Sequence, residues 1–151
     1  MNFKPYSKTE ALAMESATVK AINKKLSQHA EVASVWTMEN DEMKLLAAGE
    51  DVYEAIGTQG TVRALAQGQP IVAVTYGWAA PFSPDELEVP PSEHPDRIRV
   101  SLLIMFSTSN FISVLRREGE KEPDIADVGE ANGSLLECVT HYARLAVSRN
   151  N

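Results

Sequence analysis

The densest group of side chains able to do chemistry is Glu93, His94, Asp96 and Arg97, with Arg99 two residues on. An imidazole beside carboxylates and guanidiniums has the parts of a general base, an orienting acid and an anion clamp. In that arrangement His94 takes a proton, Asp96 holds the ring, and Arg97 or Arg99 binds an anionic substrate. The same residues also make a plain salt-bridged loop end, where His94 and Asp96 cap a turn and the arginines pair with carboxylates. That second arrangement needs only local hydrogen bonding, and the residue types favour it. One imidazole with nearby carboxylates falls short of a zinc site's ligand count, so neither a metal nor a cofactor is expected. Cys138 and His141 share a helical face, yet a cysteine among Leu, Val and Tyr reads as a small core residue rather than a nucleophile.

This polar group closes a segment, 77–96, that reads GWAAPFSPDELEVPPSEHPD and holds five prolines. Each proline fixes its own φ and restrains the residue before it, so such a segment loses little entropy when it binds. Trp78 and Phe82 add apolar area, and with His94 and Arg97 they form the expected binding surface. The competing arrangement folds Trp78 and Phe82 back as a lid on the core. Phosphate-loop, dinucleotide, nucleophile-elbow and C-x-x-C patterns do not occur in the sequence.

The pairing of TYGWAAP with PSEHPDRIRVSLLI, followed by a short turn and SVLRRE, resembles a pattern in a group of small uncharacterised bacterial and phage proteins. The likeness covers under a third of the chain. It implies no activity, substrate, site or cofactor.

Those residues need a scaffold. A chain of 151 residues is expected to form one domain over 1–151. The net charge of −7 withholds the basic footprint that a general nucleic-acid binder requires. The single cysteine leaves no internal disulfide and fits a reducing compartment. The opening MNFKPYSKTEA lacks a signal peptide's apolar run, and no apolar stretch approaches the roughly twenty residues of a membrane span. A cytoplasmic location without a membrane partner is therefore expected.

Along the chain, Ser7 and Glu10 have the spacing of a capping box at the head of a helix over 7–30, with Leu12, Val19, Ile22 and Leu26 as its apolar stripe. EVASVWTM and MKLLAAG flank the turn residues ENDE as a hairpin. Residues 50–67 are helical again, interrupted by Gly57 and Gly60. PIVAVTYGW, RIRVSLLIMF and FISVLRRE read as strands, residues 119–133 as a loop, and LLECVTHYARLAV as a last helix. The expected fold is α+β: a mainly antiparallel sheet of about four or five strands, with about three helices packed largely on one face.

The expected function is that of a small acidic module, protein-binding or accessory, working through loop 77–96 on a protein partner or a second copy of itself as a homodimer. The alternative is a small hydrolase or transferase with His94 as base. An acidic decoy for a nucleic-acid-binding enzyme is the weaker third reading. The balance leans against an enzyme, and no small-molecule ligand is specified.

Overall fold

The computed structural model describes residues 3–26, 32–80, 89–126 and 134–149. In chain order the elements are β1 (Lys4–Pro5), α1 (Lys8–Lys25), β2 (Ala33–Glu39), β3 (Glu42–Gly49), α2 (Val52–Ile56), α3 (Gln59–Ala66), β4 (Ile71–Ala79), a 3-10 turn at Pro91–Glu93, β5 (Ile98–Phe106), β6 (Asn110–Arg117), β7 (Asp124–Ala126) and α4 (Ser134–Arg149).

Local chemistry sets the ends of these elements. Ser7 Oγ accepts from the Glu10 amide at 3.1 Å while the Glu10 carboxylate accepts from the Ser7 amide at 3.1 Å, so the expected capping box is closed. Asn40 and Asp41 both take positive φ, 53° and 61°. That is the backbone of a tight hairpin turn matched to strand twist, and it joins β2 to β3. At the next hairpin Ser107 Oγ accepts from the amides of Ser109 and Asn110 at 3.2 and 3.0 Å. The interruption at Gly57 is a true helix end. The Gly57 amide donates to Tyr53 O at 3.0 Å, and the chain restarts as α3 after an extended Thr58. A Cβ on Gly57 would come within 2.8 Å of the Tyr142 hydroxyl, so the missing side chain admits α4.

Among the described residues the strands form one seven-stranded sheet in the order β1-β6-β5-β4-β2-β3, with β7 also on β6. β1 runs parallel to β6, and the other pairings are antiparallel. The fold is α+β as expected, but the expected four or five strands and about three helices are corrected to a mixed sheet of seven strands and four α-helices among the described residues. β1 and β7 are two and three residues long, too short to carry a period-two pattern.

Residues directly opposite across a strand pair share a face. The row Trp36–Val72–Met105–Ile112 lies on one side of the sheet and packs with Ala11 and Ile22 of α1. The row Val35–Ala73–Ile104 lies on the other and packs with Val52, Ile56, Leu65, Val139 and Ala143 from α2, α3 and α4. Helices thus cover both faces, and the expected packing largely on one face holds only for α2 to α4. α1 is also rotated from its expected stripe. Its buried residues are Ala11, Glu15, Thr18 and Ile22, whereas Val19 is 48% exposed. Thr18 Oγ1 is satisfied by Met14 O at 2.7 Å, and Glu15 by an arginine of β6. No described helix is long and apolar enough to cross a membrane.

Candidate functional site

β4 and β5 pair along their whole length, Ile71 opposite Phe106 through Ala79 opposite Ile98. On the α1 face, alternation brings Val72, Val74, Tyr76 and Trp78 up from β4. Opposite them stand Met105, Leu103, Ser101 and Arg99 of β5. Val72, Val74, Leu103 and Met105 are buried. Tyr76, Ser101 and Arg116 of β6 make the next row and are half-buried. This row is tied to α1 by an ion pair: Arg116 Nε and Nη2 donate to the Glu15 carboxylate at 2.5 and 2.7 Å. The hydrogen bond to Glu15 holds the Arg116 guanidinium above its already high range.

Past that row the sheet opens. Trp78, 38% exposed, stands opposite Arg99. The Arg99 guanidinium lies 4.7 Å from the centre of its ring and 5.9 Å from that of Tyr76. The exposed Arg97 places its guanidinium 4.8 Å from the same indole. Two cations therefore rest on one tryptophan. A cation over an aromatic face is attracted by the ring quadrupole, and a stacked guanidinium keeps its donor fork for an in-plane acceptor. A shallow pocket of about 530 Å3 runs beside them, lined by Tyr76, Trp78, Arg99, Ser101, Arg116 and Glu118 among others. Arg117, also at this rim, is engaged by Asp124 and lies 3.8 Å from Glu120.

The expected site residues are distributed as follows. Trp78, Arg97 and Arg99 come together, but Trp78 belongs to β4 rather than to a loop beginning at 77. It is partly exposed and carries two cationic neighbours. Phe82 lies outside the described residues. His94 and Asp96 form a turn: the Asp96 amide donates to His94 Nδ1 at 3.1 Å, and His94 O accepts from the Arg97 amide and from Arg97 Nη1, each at 3.2 Å. That bond uses the Asp96 backbone, whereas a base-orienting carboxylate has to accept from the imidazole. The turn is thereby a mount for Arg97, close to the capped loop end anticipated for His94 but with the arginines on an indole. Tyr76 and Arg116 were not anticipated at this site. Tyr76 was legible from its alternation with Trp78, whereas Arg116 becomes relevant only through the β5–β6 register.

Elsewhere, Cys138 is half-buried, and burial with the nearby Asp51 carboxylate pushes its thiol up, away from the thiolate a nucleophile needs. Among the described residues no group of three His, Cys, Asp or Glu side chains is placed to hold a metal ion. A larger cavity of about 700 Å3 sits at the other end of the sheet, between α1 and the β5–β6 turn. Met14, Met38, Met105, Pro70 and Tyr6 line it. The Ser107 and Ser109 hydroxyls bond within the turn, and burial pushes the Tyr6 phenol up.

Comparison with known proteins finds no matching family model, no matching curated protein and no matching solved structure.

Proposed function

We propose that this chain is a binding module that engages a protein partner through Trp78, Arg97 and Arg99, with the His94 turn as their support. The observation that carries this reading is the exposed indole bearing two guanidiniums. Tryptophan, tyrosine and arginine are the side chains that most often dominate interface energies, because they combine large rigid area with directed donors. The edge of the pocket is preorganised by strand pairing and a hydrogen-bonded turn, which lowers the ordering cost of association.

The test is capture from a lysate of the cells that make the protein, using wild-type and Trp78→Ala baits. The wild type is expected to retain a protein that the variant loses, while Tm falls by only about 2–4 °C. Identical capture by the two baits contradicts the reading. A second copy of the chain would be invisible to that experiment, so sedimentation of both proteins accompanies it.

A further inference from the structure

We infer that the cavity between α1 and the β5–β6 turn is a second site, separate from the Trp78 surface, and that its ligand is a small aromatic amine. At about 700 Å3 it falls within the roughly 300–1,000 Å3 range of small-molecule sites, which pair mostly apolar walls with a few placed polar groups. Its floor and its rim differ in kind. Met105 and Leu65 are each 2% exposed, Met14, Met38 and Tyr6 are half-buried, and Glu10 is exposed. A guest therefore meets apolar walls along its body and a carboxylate at its outer end.

The walls select a ring. Three of the chain's five methionines, Met14, Met38 and Met105, line the cavity. A thioether is unbranched and polarizable, so it moulds to an irregular guest and is attracted to the edge of an aromatic ring. Such walls favour a flat aromatic body over a saturated one of the same size.

Charge selects the other end. Among the described residues that line the cavity, Glu10 alone carries a charge, and the whole chain stands at −7. A helix N-terminus ordinarily favours an anion. Here the Ser7 and Glu10 amides are taken up in the capping box, and the Glu10 carboxylate already occupies that end of α1. Glu10 Oε1 accepts from Ser7, yet a carboxylate has about four acceptor sites, so it can meet an ammonium without opening the cap. Burial, with the Glu10 charge, pushes the Tyr6 phenol up, which leaves a neutral hydroxyl beside the guest. An aromatic anion would face a carboxylate with no cation among the described lining residues to offset it.

The experiment is calorimetric titration of the full chain with tryptamine, its neutral alcohol tryptophol, the anion indoleacetate and the saturated cyclohexylethylamine. Tryptamine is expected to bind saturably, and tryptophol about two- to fivefold more weakly, as for an exposed ion pair. Cyclohexylethylamine should be weaker by about fivefold or more, and indoleacetate by about tenfold or more. Glu10→Gln keeps the capping box, because glutamine also serves at that position. It should bring tryptamine down to the level of tryptophol and leave tryptophol unchanged. In 13C spectra of the methionine methyls, the ring current of tryptamine should shift Met14, Met38 and Met105 along one saturating curve. Met43, which packs on the same face without lining the cavity, should stay in place. The inference is overturned if tryptamine does not bind, or if cyclohexylethylamine or indoleacetate matches it. It is equally overturned if Glu10→Gln binds tryptamine like the wild type or loses tryptophol as well, or if Met43 moves while Met14, Met38 and Met105 do not.

Discussion

Glu15 is a carboxylate on the buried side of α1, its side chain 12% exposed, and Arg116 meets it from β6. Such a charge is tolerable only while its partner is present, because an uncompensated ion in a partly dry site pays its desolvation without return. Arg116→Ala is therefore expected to cost about 2 kcal/mol, and Glu15→Gln about 1 kcal/mol because Arg116 is better solvated. Replacing both by leucine should recover much of the loss. Urea denaturation of the three variants checks this order. Equal losses in the two single variants would mean that Glu15 is not dependent on its arginine. The pair matters for the binding face too, since it anchors the Tyr76–Ser101–Arg116 row beside Trp78.

At the scale of elements, two glycines at the ends of α3 should respond in opposite directions. A Cβ at Gly60 meets Leu46 at an ordinary 3.6 Å, so Gly60→Ala should stabilise by up to about 1 kcal/mol through reduced unfolded-state freedom. Gly68 has φ +79°, a region that costs other residues about 1–2 kcal/mol. Gly68→Ala should therefore destabilise by about that amount, and paired thermal melts of the two variants give the sign directly. The same elements show how far local sequence dictates this fold. Each longer strand, the ENDE turn and the Ser7 cap follow from side-chain period and turn chemistry. The stripe of α1 did not, because Glu15 at a core position is explicable only by Arg116, distant in sequence and adjacent through sheet register. β1 and β7 escaped notice because each borrows its hydrogen bonds from β6 and has no pattern of its own. Of the site, Trp78, His94, Arg97 and Arg99 were legible as residue types. Their mutual arrangement was not, since Trp78 and Arg99 are placed opposite each other only by the β4–β5 pairing.

At the scale of the molecule, α1 covers one face of the sheet where Trp36, Val72 and Met105 lie, and leaves the far end of β4 and β5 open. The opposite face is closed by α2, α3 and α4. What remains exposed is a cation-bearing aromatic surface on an acidic body. The most direct measurement is a 15N NMR titration of the full chain with the captured partner, following backbone amide, indole and arginine Nε signals. The Trp78 indole and the Nε groups of Arg97 and Arg99 are expected to shift along one saturating curve. The Trp36 indole, fully buried and donating to Ser34 Oγ at 2.8 Å, should stay in place. Shifts centred instead on Tyr6, Met14 and Met38 beneath α1, with Trp78 unmoved, would contradict the account.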